Sequence, residues 1–288
     1  MSNHANINSN DAIKTMKLYT HVDRIKTELT SRGMLSQNPI DPIVLSEIDS
    51  MHFLGNAAIE AAVAAMGLTA SSKVLDVGSG FGGPARILSS LTKCHVVALE
   101  LQQDIHNLGA ELTRRCNLSD SVDHVSGDIL DDKIGQQLGN GISSFDAIVS
   151  YLVFLHIPNK GSVLDVCRKL LKPNGALFAE DFFCISPFTK VEVESLARDV
   201  FCRDLPSREE YIQQLELSGF KNIQFIDMTT EWTQYVTKRL EHFIANKDGY
   251  VKVHGEEAYS GLLEFYAAVA TLFSGGNLGG VRIVAQMT

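Results

Sequence analysis

Asp76, followed at alternate positions by Gly78, Gly80 and Gly82 and then by Gly83 and Pro84, is the run of residues in this sequence best suited to chemistry. It closes a short apolar stretch that begins at Lys73, so the order reads as a buried strand, a tight glycine turn and a helix start. Pro84 suits the first helical position, where its missing N–H is no loss and its fixed φ is already helical. The glycines allow a sharp turn and let a ligand press against the backbone. Such a site binds a nucleotide-like molecule. Gly78-x-Gly80-x-x-Gly83 also fits a dinucleotide fingerprint, and Asp76 decides between the two. A carboxylate there would repel a pyrophosphate at the helix N-terminus, but it could pair with the amino group of an amino-acid tail.

Further acids and aromatics follow at the ends of the next apolar runs. Glu100 ends the run from His95, 22 residues beyond Gly78, where an acid can accept both hydroxyls of a ribose. Gly127-Asp128-Ile129-Leu130 follows the run Val122–Ser126, and Asp128 suits a helix N-cap as well as a ligand contact. The segment from Phe145 to Pro158 carries Tyr151 and His156 to a fourth strand end, and ligands collect at such ends in open α/β sheets. With its (D/E)xGxGxG pattern and these segments in order over roughly residues 70–183, the chain resembles the Rossmann-like S-adenosylmethionine-dependent methyltransferases. The resemblance implies S-adenosylmethionine as cofactor and S-adenosylhomocysteine as product. It implies a cofactor site of Asp76, Gly78, Ser79, Gly80, Gly82, Glu100, Leu101, Gly127, Asp128, Ile129 and Tyr151, with Asp128 at the adenine amino group and Tyr151 near the sulfonium.

Methyl transfer from a sulfonium is an in-line displacement, so the protein's main task is to hold donor and acceptor in a desolvated near-attack pose. No metal is required. An amine acceptor must first shed a proton, which makes Tyr151, His156, Glu180 and Asp181 the candidate catalytic groups. A thioether needs no base and becomes a cation, which aromatic faces and carboxylates would favour. Candidate substrate contacts are Tyr19, His21, His52, Phe53, Phe182, Phe183, Tyr211 and Trp232, although aromatics at element ends also build cores.

The segments YTHVDR (19–24) and DSMHFLGN (49–56) ahead of the nucleotide strand add a resemblance to small-molecule methyltransferases of the glycine, sarcosine and phosphoethanolamine type, and more distantly to the sterol branch. The glycine-betaine enzymes carry arginines for a substrate carboxylate, and Arg24, Arg203 and Arg208 are the candidates here. The first expectation is N-methylation of an amine. S-methylation of a thioether such as methionine or a methylthio acid, and C-methylation of an alkene, stand as alternatives. Outside the class stand a nicotinamide oxidoreductase, which leaves Asp76 and Asp128 without a role, and a non-catalytic binding module.

Positioning these groups falls to alternating strands and helices from Lys73 onward, a pattern that argues for a parallel sheet covered on both faces. The expected strands are Val74–Val77, His95–Glu100, Val122–Ser126, Phe145–Tyr151, Ala176–Phe183, Lys221–Met228 and Val281–Gln286, with Pro173-Asn174-Gly175 as a turn before the fifth. Ser207 and Glu210 have capping-box spacing. The fold class is α/β: a seven-stranded Rossmann-like methyltransferase sheet with helices on both faces and an added helical cap. The expected division is a disordered tail over 1–10, an N-terminal helical lid over 11–68, and a methyltransferase domain over 69–288 with cap insertions at 186–206 and 230–273.

The 288 residues carry a formal charge of −9, which argues against nucleic acid or an anionic membrane as partner and for a small-molecule substrate. No apolar run reaches the length of a membrane span. Five scattered cysteines without CxxC spacing, and a polar start unlike a secretory leader, point to reduced thiols in the cytoplasm and to no bound metal. Oligomeric state leaves no mark in the sequence.

Overall fold

The computed structural model describes residues 13, 16, 22–34, 39–138 and 143–287. Seven strands form one sheet: β1 Lys73–Val77, β2 His95–Glu100, β3 Val122–Ser126, β4 Phe145–Tyr151, β5 Leu171–Cys184, β6 Phe220–Asp227 and β7 Leu278–Met287. Their order is β3-β2-β1-β4-β5-β7-β6. The first five run parallel, and β7 lies antiparallel between β5 and β6.

Alternation along the central strands explains the two layers of helices. Leu75, Val77, Val97, Leu99 and Ile148 face one core, which also takes in Val163, Cys167, Tyr211 and Leu215 from the helices Lys160–Leu170 and Arg208–Leu217. Val74, Val96, Ala98, Ala147 and Val149 face the other, built with Ile59, Ala62, Ala85 and Leu88 from Asn56–Met66 and Gly83–Thr92. Strands buried on both faces read as continuous apolar runs. That is how β1, β2 and β4 appear in the sequence.

A third core lies beyond the strand ends, where Phe53, Phe182, Trp232, Phe265 and Phe273 pack together. Its helices are Lys190–Asp199, Thr229–Ala245 and Glu256–Ser274. The stretch expected as one helical region over 230–273 divides into three helices, Lys247–His254 being the middle one, with breaks at Asn246 and at Gly255, whose φ is 85°. Ahead of β1, the helices Arg24–Ser31 and Pro42–Asp49 bury Ile25, Leu29 and Leu45 against Phe81, Ile105, Leu108 and Leu112. Asp41 caps the second of these by accepting the Ile43 N–H.

One turn expectation is corrected. Pro173-Asn174-Gly175 sits inside β5 as a bulge, the register jumping from Phe145↔Leu171 to Ala147↔Ala176 with Asn174 at φ 63°. Pairing with β4 on both sides of the bulge keeps the segment in the sheet. The capping box over Ser207 and Glu210 is formed in full. Residues 1–10, Tyr19 and His21 lie outside the described residues. Among the described residues no helix is long and apolar enough to cross a membrane, and no cluster of His, Cys, Asp and Glu could hold a metal ion.

Candidate functional site

Two cavities meet where β1 and β4 end, sharing Gly78, Val153, Leu155 and His156 in their walls. The wider, about 280 Å³, runs along Glu100, Leu101, Gln102 and the loop Gly127 to Leu130. The narrower, about 70 Å³, is walled by Asp49, Met51, His52, Phe53, Ser79, Gly80, Tyr151, Phe182, Arg239 and Phe265.

The glycine turn is held by backbone bonds from Gly78 and Ser79 to the Leu99 carbonyl. Glu100 accepts the Gly80 N–H and the Gln102 N–H, one on each oxygen, at 2.9 Å. Burial nevertheless pushes its carboxyl above the usual range. Gly78 has φ 72°, and a methyl group there would lie 2.4 Å from a Val153 side-chain carbon. Val153 reaches that point because Leu152 takes a φ of 58°, a conformation a non-glycine residue rarely adopts. The Leu152 N–H donates to the Glu180 carbonyl at 2.8 Å, which fixes the bend.

Asp76 is completely buried directly before this turn, and no donor reaches hydrogen-bonding geometry with either of its oxygens. Its carboxyl is pushed up to about 8, first by burial and then by the charge of Glu100, with the Ala85 N–H and Arg86 acting weakly in the other direction. The Ser79 hydroxyl is also buried without a partner. Orphaned buried polar atoms of this kind call for a ligand. The turn and its neighbours fit a cofactor with a cationic amino-acid end and a nucleoside end.

His156 stands at the junction of the cavities. Its Nδ1 lies 3.3 Å from the Phe201 carbonyl, which can only accept, so Nδ1 carries the proton and Nε2 keeps its lone pair. Burial pulls its pKa down to about 4, leaving the ring neutral at pH 7. His52 is likewise held down at about 4 by burial, with Nε2 3.0 Å from the Gly55 carbonyl, and its ring lies 5.1 Å from that of Tyr151. The Tyr151 hydroxyl has no partner, and burial lifts its pKa far above the usual range.

Several expected site residues stand elsewhere. Glu180 takes both Nε and Nη2 of Arg282 on one oxygen, and Asp181 accepts the Tyr211 hydroxyl at 2.7 Å with Lys160 4.0 Å away. Neither carboxylate lines either of these two cavities. Phe183 and Tyr211 belong to the core under the sheet, and Trp232 is fully buried against Gly280. Gly82 is absent from both walls: a methyl there would lie 2.7 Å from the His124 ring, so it is glycine for packing as well as for its φ of 76°. Of the candidate arginines, Arg203 lines the wider cavity and Arg208 lies over the Phe225 ring. Arg24 acts on Tyr250.

The sequence reading missed Asp49, Arg86 and Arg239. Asp49 and Arg86, both fully buried, form an ion pair between the helix Pro42–Asp49 and the helix after the glycine turn. Arg239 follows the buried Trp232 and Val236 along one helix face. A cation interrupting that apolar stripe was the available signal.

Residues 75–177 match the family model described as a methyltransferase domain. Over 190 residues the chain is 26% identical to the glycine/sarcosine/dimethylglycine N-methyltransferase of Actinopolyspora halophila, covering 66% of this chain and 33% of that protein. Over 204 residues it is 28% identical to the phosphoethanolamine N-methyltransferase of Plasmodium falciparum, covering 68% of this chain and 71% of that one. The chain therefore spans a third of the length of the first relative. In three dimensions it resembles phosphoethanolamine N-methyltransferase 2 of Haemonchus contortus with a TM-score of 0.76 at 18% identity, over 98% of this chain and 61% of that one.

Proposed function

From the methyltransferase domain that this chain carries over residues 75–177, and from the paired cavities at its strand ends, we infer that this S-adenosylmethionine-dependent enzyme methylates the nitrogen of a small amine. The observation that carries the reading is His156, neutral, shared by both cavities and with one ring nitrogen free of the backbone. Glu100, Leu101, Asp128 and Ile129 would hold the nucleoside of the cofactor, and Asp76 and Ser79 its amino-acid end. When bound, S-adenosylmethionine supplies a methyl group made electrophilic by a positively charged sulfur.

The protein's own part is to prepare the acceptor. An amine enters largely as an ammonium and must lose a proton before its lone pair is available. His156 Nε2 can accept that proton: the acceptor N–H bond breaks, its electron pair stays on nitrogen, and the imidazole becomes an imidazolium. Glu180 and Asp181 line neither of the two cavities, whereas His156 lines both, so the role of base falls to His156. Met51, Phe53, Leu155 and Phe182 keep water from the reacting atoms, and the faces of Phe53 and Tyr151 suit a cationic product.

A second reading, S-methylation of a thioether, is favoured by one feature of the narrower cavity. The one described carboxylate in its wall, Asp49, is already paired with Arg86, so the wall is largely apolar and suits an uncharged nucleophile. Initial-rate pH profiles of the wild type and His156→Gln separate the two, with glycine, sarcosine and phosphoethanolamine set against methionine and a methylthio acid. N-methylation requires kcat on the amine to fall roughly 10²–10⁴-fold in His156→Gln. Turnover of a thioether, insensitive to the substitution, would replace the first reading by the second.

A further inference from the structure

We propose that Lys160 and Asp181 are positioning residues of this site: they hold the turn Phe154–His156 from its buried side and so aim the His156 ring, with Nδ1 on the backbone and Nε2 free. The inference rests on the reading of His156 as base and adds the groups that set it in place. Neither Lys160 nor Asp181 lines either cavity, so both act through the turn. Lys160 is a buried lysine in the first position of its helix, next to the Asn159 cap. A helix N-terminus is the positive end of the dipole, and burial strips water from the ammonium, so this place is costly for a cation unless close partners offset it. Lys160 has two. Its Nζ donates to the Phe154 carbonyl at 3.1 Å, and one Asp181 oxygen lies 4.0 Å away.

The turn's own bonds run from the His156 N–H to the Val153 carbonyl and from the Ile157 N–H to the Phe154 carbonyl. Such bonds have poorer geometry in a 3₁₀ turn than in an α-helix. Asp181 supplies a second hold. Burial raises its carboxyl, while Lys160, the Tyr211 hydroxyl and the N–H groups of Phe182 and Leu155 act the other way. Leu155 is the middle residue of the turn, so the pair faces a carbonyl and an N–H of the same three residues. The Tyr211 hydroxyl, 2.7 Å from Asp181, fixes the carboxyl to a helix of the core.

Lys160 also acts on the ring itself. Burial is the largest cause of the low His156 pKa of about 4; the Phe201 carbonyl opposes it and the Lys160 charge adds to it. The other titratable groups around the turn are Asp181 and Cys202, with Glu100, Asp128 and Arg203 in one cavity wall and Asp49, His52, Tyr151 and Arg239 in the other. Without the Lys160 charge the ring is easier to protonate, so its titration moves to higher pH.

The first readout needs no acceptor. In nitrogen-15 spectra of the histidine rings of the full chain, with His156→Gln identifying the His156 signals, the wild type should show one tautomer at pH 7, protonated on Nδ1. Lys160→Met should show a mixture, and its His156 titration should move up by about one pH unit. Lys160→Met/Asp181→Asn, which leaves no carboxylate stranded, should give the same mixed tautomers and keeps the test open should the single variant fail to fold. Wild-type tautomer and titration in a folded variant would overturn the proposal. The second readout is initial rates with S-adenosylmethionine and glycine, sarcosine or phosphoethanolamine. Lys160→Met should lower kcat roughly tenfold to a hundredfold with KM little changed, and should add nothing further in His156→Gln. A loss of equal size in both backgrounds would mark a merely structural lysine and contradict the proposal. Failure of the base reading appears separately, as an unchanged kcat in His156→Gln.

Discussion

The most consequential single side chain is Asp76, because its burial before the glycine turn would make binding of a cationic amino group beside it a proton-linked event. Its carboxyl moves from an ordinary 3.8 up to about 8 in the folded protein, chiefly through burial. A carboxyl raised in this way contributes stability that is fully present below about 3.8 and is lost as pH rises through about 8. The cofactor-free protein is expected to lose stability across that window, and Asp76→Asn to flatten the loss, as read by urea unfolding at a series of pH values. A cationic amino group should displace the Asp76 proton. Calorimetry with S-adenosylhomocysteine in buffers of different ionisation enthalpy should then register proton release at pH 7 and affinity rising toward pH 8; no proton release would remove Asp76 from the cofactor site. Glu100 and Asp128, which line the wider cavity, were legible because they sit at fixed offsets from strand ends, whereas Asp76 lies buried before the turn and outside both cavity walls. Arg239 and Asp49 were not, since each reaches the cavity from a helix remote in sequence and has no motif around it. Glu180 and Asp181 misled for the converse reason: position at a strand end says nothing about which neighbour claims a carboxylate.

At the level of elements, the site depends on how two helices and two strand ends are fastened together. Arg86, one turn into the helix after the glycines, donates to Asp49, to the Gly109 carbonyl and to Thr113 Oγ1, tying three helices at one buried point. Removing one partner strands the other's charge. Asp49→Ala is expected to cost about 3–5 kcal/mol of stability, with Asp49→Ala/Arg86→Leu recovering part of it; denaturant unfolding of the wild type, both single variants and the double variant checks this, and simple additivity of the single variants would contradict it. Gly78→Ala meets both a φ of 72° and the Val153 side chain, so the expected outcome is loss of S-adenosylhomocysteine binding in a chain that still folds. Strands β2 and β4 were legible to the residue, because largely apolar runs bounded by polar turns leave little freedom, and β3, which is Val-Asp-His-Val-Ser, was placed by its position in the alternation of strands and helices. The β5 bulge was not, since Pro-Asn-Gly is a turn signal locally and only pairing with β4 overrides it. Of the lid expected over 11–68, the helix Asn56–Met66 is packed against the sheet; we propose that Arg24–Ser31 and Pro42–Asp49 act as the lid, and hydrogen exchange over 42–49 should slow when S-adenosylhomocysteine is bound, while unchanged exchange would argue against closure.

For the whole molecule, the sequence carried the fold further than the chemistry. Alternating strands and helices, a glycine turn after the first strand and two late strands determine a sheet whose strand ends gather the site, and the observed strand order follows. The narrower cavity was legible only in part: Phe53 and Phe182 were expected, whereas Met51, Arg239 and Phe265 join them from positions spread over more than two hundred residues that only tertiary packing brings together. Five cysteines without a disulfide add nothing to the site. The central claim is that the joined cavities make one site for methyl transfer to a small metabolite. It is tested most directly by mass spectrometry of reactions containing methyl-deuterated S-adenosylmethionine and a panel of glycine, sarcosine, dimethylglycine, phosphoethanolamine, methionine and a methylthio acid. The account predicts S-adenosylhomocysteine together with one deuteromethylated product, and loss of that product in Asp76→Asn and Gly78→Ala. Binding of NAD in place of S-adenosylhomocysteine, with no methylated product from any acceptor, would contradict it.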